Sequence, residues 1–230
     1  MFKSGKPEKG SSKLYDGHIT TTIPYYETFN LEMINLIRAT GREPGVWLDT
    51  GCGTGNLVNR AAKVFPRTKF ILADPSVEML QEAERKLRNH TAVDYCLLDP
   101  CATQEIDLTQ EESMDVITAI LCHHYLDKDG RKNATERCFH LLKSGGLYIT
   151  FENVRPLTER GIEIALKNWK RFQMDQGKYA EAAGSHIKRF GIEYYPITIK
   201  EHLSLLKGAG FQVVELLWFS YVQAGFYAVK

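Results

Sequence analysis

The chain of 230 residues lacks the features that would tie it to a membrane, a metal cluster or an oxidising compartment. It has no run of about 18 apolar residues, so no transmembrane helix and no membrane partner are expected. Residues 1–13 are polar, with Lys, Gly and Ser, and lack the apolar centre of a signal peptide. They read as a flexible leader. The five cysteines (Cys52, Cys96, Cys101, Cys122, Cys138) form no C-x-x-C pair and are odd in number. Zinc sites and structural disulfides are therefore not expected, iron–sulfur chemistry lacks its clustered thiolates, and a reducing cytoplasm is the natural setting. A net charge of +1 gives no global field toward nucleic acid or membrane. No internal repeat is evident. What remains is ordinary globular composition, 43% hydrophobic, in a length that fits a single domain with a modest insertion.

The informative stretch is Val46-Trp-Leu-Asp-Thr-Gly-Cys-Gly-Thr-Gly55. An apolar strand, Gly45 to Leu48, runs into Asp49. Gly51, Gly53 and Gly55 follow at alternate positions, and a helix begins near Thr54 or Asn56. Glycines at this density allow φ > 0 and let a ligand lie against the main chain. The dinucleotide fingerprint G-x-G-x-x-G would need glycine at position 56, which is Asn56. A nicotinamide dehydrogenase is disfavoured on that ground. A bare strand-to-helix turn does not need three alternate glycines.

Downstream, strands and helices alternate. Helices are expected at Leu57 to Val64, Ser76 to Arg88 (with Ser76 as cap), Asn133 to Leu142 and Ile199 to Leu206. Strands are expected at Lys69 to Ala73, Val93 to Leu98, Met114 to Leu121 and Leu147 to Phe151, with Lys143-Ser-Gly-Gly146 stopping the preceding helix. Residues 155–191 look mostly helical. Two last strands, Phe211 to Phe219 and Gln223 to Val229, are joined tightly enough to form a hairpin. The order implies an α/β fold: a Rossmann-like, mostly parallel seven-stranded sheet with right-handed crossovers, a C-terminal antiparallel hairpin and a helical insertion after strand 5.

The D-x-G-x-G-x-G pattern and the terminal hairpin resemble class I S-adenosylmethionine-dependent methyltransferases over roughly residues 20–230. The resemblance implies S-adenosylmethionine as cofactor, with Gly51, Cys52, Gly53 and Gly55 passing under its methionine part. Asp49 would orient the loop or meet the amino group. Asp74 ends the second strand, where ligands of open α/β sheets bind. It would accept both ribose hydroxyls, with Pro75 beside the adenosine, although an Asp-Pro-Ser-Val stretch is also a helix cap. Asp99 would meet the adenine amino group, with Pro100 covering the ring. His123 and His124 follow the fourth strand where acceptors often lie. One of them could remove a proton from the acceptor, or both could simply pack. Methyl transfer depends mainly on alignment and needs little acid–base help.

Within that family the chain's ends are similar to the tRNA uridine-5-oxyacetic acid carboxymethyltransferase group, through Ile23-Pro-Tyr-Tyr26 and the run from His202 to Lys230. That likeness implies Tyr26 at the cofactor and Arg189 on the carboxylate of a carboxylated cofactor. The loop Gly-Cys-Gly-Thr-Gly keeps the ordinary methyl-donor form. Residues 155–200 hold nine basic and five acidic residues. They are expected to be a lid over a small-molecule acceptor, with an anionic acceptor or tRNA as its partner, or else a solvated helical surface. A homodimer, or a non-catalytic protein that only binds the cofactor, is compatible with the same pattern.

Overall fold

A computed structural model describes residues 12–97, 103 and 112–230. Its strands are β1 (Val46–Thr50), β2 (Lys69–Asp74), β3 (Val93–Leu97), β4 (Met114–Ile120), β5 (Leu142–Asn153), β6 (Val213–Ser220) and β7 (Gln223–Val229). They form one seven-stranded sheet in the order β3-β2-β1-β4-β5-β7-β6. The first five are parallel, and β7 enters antiparallel between β5 and β6. This is the sheet the sequence order implies. The chain reverses its direction of growth between β1 and β4, which opens a crevice at their carboxyl ends.

Both faces of the sheet are buried, and alternation along each strand assigns the side chains. Trp47, Phe70, Leu72, Val116, Ile149 and Phe151 pack on one side. There they meet α2 (Tyr26–Ala39), α3 (Asn56–Val64) and α4 (Val77–Leu87). Leu48, Ile71, Ala73, Ile117 and Tyr148 pack on the other, against α5 (Lys128–Leu141) and α8 (Ile199–Gly208).

Three differences from the sequence expectation have local causes. A helix over Ser12–Thr22, α1, precedes α2 and includes the last residues of the expected leader. Helix α5 begins five residues before Asn133, because Asp127 caps it by accepting the Gly130 amide at 2.8 Å. Gly130 in the first turn hid that start. Helix α5 then runs directly into β5. The Lys143–Gly146 stretch is a bulge inside that strand, where the register jumps from Met114↔Leu142 to Val116↔Leu147. The insertion carries α6 (Glu159–Asp175) and α7 (Ala180–Ile187).

Candidate cofactor cleft

The three glycines do three different jobs. All have φ between 53° and 73°. A Cβ on Gly51 would stand 2.4 Å from Cβ of Cys122, and one on Gly55 would stand 3.0 Å from Cβ of Ala83. Both therefore let the loop sit tightly on the protein. Gly53 instead faces the cleft, where an added Cβ would meet only the Tyr15 ring, at 4.0 Å. The loop is pinned from below by the Ala73 carbonyl, which accepts the amides of Gly51 at 2.7 Å and Cys52 at 3.1 Å.

Two carboxylates stand at the strand ends. Asp49 is 2% exposed and lines the cleft together with Gly51, Cys52 and Gly53. Its Oδ1 accepts the Thr118 hydroxyl at 2.6 Å, and Thr118 in turn accepts the indole N–H of Trp47 at 2.9 Å. Burial pushes its carboxyl up to about 7, against the Thr118 bond, which pulls it down. Asp74 accepts the Gly53 amide through Oδ2 and the Ser76 amide through Oδ1, each at 2.9 Å. It clamps the loop and starts α4, while Ser76 caps that helix by accepting the Met79 amide at 3.3 Å. Burial raises the Asp74 carboxyl too. Pro75 follows it, half-buried. Asp99 and Pro100 lie outside the described residues.

The cleft has a cover. Helix α1 lies across the glycine loop and places Tyr15 in the cleft beside Tyr26, Asn30 and Asp49. Asp16 fixes that pose by accepting the hydroxyl of Thr54 at 2.6 Å, the amide of Asn56 at 2.8 Å and the ammonium of Lys86. Behind α1 stands the insertion. Trp169 of α6 donates its indole N–H to the Thr22 carbonyl at 2.7 Å, and Lys178 donates to the Thr22 hydroxyl. The space left between cover and loop is about 30 Å³, enough for one water molecule.

The lining nevertheless suits S-adenosylmethionine. Asn30 Oδ1 is a buried acceptor with no partner among the described residues. Asp49 offers a carboxylate without a cationic neighbour among the described residues. Gly53 presents backbone toward open space. An ammonium and ribose hydroxyls are the donors such a set would take. Tyr26 heads α2 and packs edge-on against Phe29, 5.2 Å between centroids, and Phe29 stacks on Phe151 at 4.3 Å.

His123 and His124 form a short 3₁₀ turn after β4. Both are buried, at 3% and 2% exposed. Neither imidazole is free. His123 Nε2 meets the Thr103 hydroxyl at 2.8 Å and Nδ1 meets the Tyr148 hydroxyl at 3.2 Å. Burial drives the His123 imidazole down to about 4. His124 Nδ1 contacts Glu152 at 2.6 Å, and the same carboxylate accepts the amides of His123 and His124 at 3.1 and 3.0 Å. The His124 imidazole above all, with His123 and His202 nearby, holds the Glu152 carboxyl down at about 2 despite complete burial. Glu152 thus ties β5 to the segment that bounds the cleft. Arg189 follows α7, pairs with Glu193 at 2.7 Å and stands 5.7 Å from the centre of the Tyr194 ring. Tyr194 packs on His124 and Tyr125.

The structure thus brings Tyr26, Asp49, Gly51, Cys52 and Gly53 onto one cleft, with Gly55 and Asp74 supporting its floor. It sets the histidines inward. Sequence reasoning misses Tyr15, Asp16, Asn30, Glu152 and Leu121. Leu121 lines the cleft with φ 54°, a conformation unusual for a bulky residue. An acidic residue directly after the apolar run Leu147 to Phe151 was the available signal for Glu152. None marks Tyr15, which lies just past the expected leader, in a stretch to which the sequence reading assigns no element.

Comparison with known proteins agrees with this layout. A family model described as a methyltransferase domain matches residues 48–148. A carboxy-S-adenosyl-L-methionine synthase of Staphylococcus epidermidis is 23% identical, over 94% of this chain and 92% of its own. A malonyl-[acyl-carrier protein] O-methyltransferase of Halalkalibacterium halodurans is 30% identical, over 60% of this chain and 50% of its own. Among solved structures, Phospholethanolamine N-methyltransferase 2 of Haemonchus contortus, in complex with phosphomonomethylethanolamine and S-adenosylhomocysteine, superposes with a TM-score of 0.67 at 16% identity. That match covers 98% of this chain and 59% of the other.

Proposed function

Because the chain belongs to the class I S-adenosylmethionine-dependent methyltransferases, we propose that it transfers a methyl group to a small-molecule acceptor. The acceptor would enter at the mouth of the cleft beside Tyr125, Arg189 and Tyr194. The observation that carries this reading is the floor of the cleft: a backbone-presenting Gly53 between a buried Asp49 and the clamp Asp74.

Bound there, S-adenosylmethionine supplies a methyl on a sulfonium, already activated toward a nucleophile. The protein's residues hold and align. Asp49 and Asn30 Oδ1 accept from the amino-acid end. Asp74 accepts from the ribose while keeping the Gly53 amide in place. Asp99 and Pro100, which lie outside the described residues, are assigned to the adenine on the family resemblance alone. Loading needs α1 to shift, since Tyr15 fills the space. Once the cofactor is in, α1 closes over it and excludes water. We assign His123 and His124 to positioning. An imidazole held near 4 with both nitrogens bonded is a poor base at neutral pH, and methyl transfer depends on alignment. Calorimetry with S-adenosylhomocysteine tests this reading. Asp74→Ala should weaken binding by about 2–3 kcal/mol, whereas unchanged affinity would remove Asp74 from the site.

A second reading has its own observation. A relative that matches 94% of this chain is a carboxy-S-adenosyl-L-methionine synthase, so the small molecule acted on could be the cofactor itself. Mass spectrometry of the ligand that co-purifies decides between them. A species heavier by one carboxylate favours the synthase reading, and plain S-adenosylmethionine or S-adenosylhomocysteine favours methyl transfer. A tRNA partner has less support. Four of the five carboxylates in the insertion pair with basic residues about one turn away, as on a solvated helix.

A further inference from the structure

A second cavity lies apart from the cofactor cleft. It measures about 460 Å³ and is bounded by the start of α5, the segment after β5 and the loop after α7. Its walls are apolar: Ile162, Phe190, Pro196, Ile197 and the ring of Tyr195. Three cations line it, Lys128, Arg131 and Arg155, with one carboxylate, Glu159.

Arg131 makes this more than a basic surface. It is 3% exposed. Among the described residues no carboxylate lies within ion-pair distance of it, although Asp127, Glu152 and Glu201 act on it from farther away. Its Nε donates to the His123 carbonyl at 3.3 Å, and Nη2 donates to the carbonyls of Leu126, at 3.2 Å, and Tyr195. Nη1 has no acceptor among the described residues. A buried guanidinium held in place by three carbonyls, with no carboxylate in ion-pair contact among the described residues, is preorganised for an anion. Lys128 likewise has no carboxylate partner among the described residues. Arg155 pairs with Glu159 at 2.6 Å, but Glu159 is 81% exposed, and such a pair yields little against a desolvated ligand. The Arg155 amide donates to the Ile197 carbonyl at 2.9 Å and joins the two rims.

We propose that this cavity binds a small organic anion, a carboxylate or phosphate on an apolar body. The head would sit on Arg131, with Lys128 and Arg155 at the mouth, and the body against Phe190, Ile162 and Pro196. The site is separate from the cofactor cleft but shares a wall with its mouth. Tyr195 donates its amide to the His124 carbonyl at 2.7 Å, and the adjacent Tyr194 packs on Tyr125.

Phenylacetate is a suitable probe, with acetate as the head alone and phenylacetamide as the uncharged body. Protein-observed NMR titration should show saturable binding of phenylacetate at about millimolar strength. Both controls should bind about tenfold more weakly or worse. The Lys128→Ala/Arg155→Ala variant, whose changes lie at the cavity mouth, should lose about tenfold. Thermal denaturation checks its fold. Arg131→Lys tests the buried head site, since an ammonium cannot reproduce the fork. Absence of phenylacetate binding, equal binding of either control, or unchanged binding in the double variant would overturn the proposal. S-adenosylhomocysteine affinity, measured on the Lys128→Ala/Arg155→Ala variant, should not change. The fate of this cavity is thereby read separately from that of the cofactor cleft.

Discussion

The floor and the cover of the cleft are built on opposite terms. The floor is made of main chain and short side chains fixed by strand ends: Gly51 and Cys52 on the Ala73 carbonyl, Gly53 on Asp74, Asp49 on Thr118. Nothing there can move without disturbing β1, β2 or β4. The cover is a single helix held largely by side-chain tips, the Asp16 carboxylate on Thr54, Asn56 and Lys86, with the Trp169 indole and the Lys178 ammonium on Thr22 behind it. Such contacts open locally at small cost, whereas sheet contacts open only with the fold. A binding site whose ligand must enter and leave needs both, and the chain places them on different elements.

The comparison can be broken most forcefully at the tie between β5 and the cleft-bounding turn. Glu152→Ala leaves His124 and two backbone amides without their acceptor in a dry interior. It should cost about 3–5 kcal/mol in urea unfolding. Loss under about 1 kcal/mol would mean the turn is held by something else. The pH dependence has a definite sign. Because the Glu152 carboxyl is depressed to about 2, its contribution is present above the ordinary carboxylate range and fades as pH falls toward 2.

Next in size is the floor. Gly53→Val adds a branched side chain at φ 53°, where the loop faces the cleft. S-adenosylhomocysteine binding should fall by at least about a hundredfold, roughly 2.7 kcal/mol, with the melting transition still cooperative. Wild-type affinity in that variant would remove the loop from the site.

A smaller effect belongs to Asp49. Its carboxyl, raised to about 7, binds its proton more tightly when folded than when unfolded, so its ionisation costs stability as pH rises from about 4 to 7. Binding of a cationic amino group should run the other way and strengthen as pH rises through about 7. Asp49→Asn should flatten that dependence in calorimetry. A slope that persists in the variant would assign it to another group.

The same contrast governs what could be read from the sequence. The floor is legible because its chemistry requires particular residues at fixed spacing: positive φ at alternate positions, and a carboxylate where each strand ends. The sheet is legible because both its faces are buried and its strands are apolar runs. The cover is not, because a short helix held by Asp16 and Tyr15, just past the expected leader, carries no spacing or residue type that marks it. The inward turn of His123 and His124 is equally hidden. Their partners, Glu152, Tyr148 and Thr103, come from 20 to 29 residues away in the chain. Only the fold makes them neighbours.

The central claim is that the cofactor takes the space Tyr15 now fills, and that α1 is a cover rather than part of the floor. Calorimetric titration of S-adenosylhomocysteine into the wild-type protein and Tyr15→Ala tests it directly. If binding must first displace Tyr15, the closed population taxes affinity, and the variant should bind more tightly, by about threefold to tenfold. Weaker binding in Tyr15→Ala would contradict the account, because the tyrosine would then be a contact of the bound state and not an occupant of the empty one.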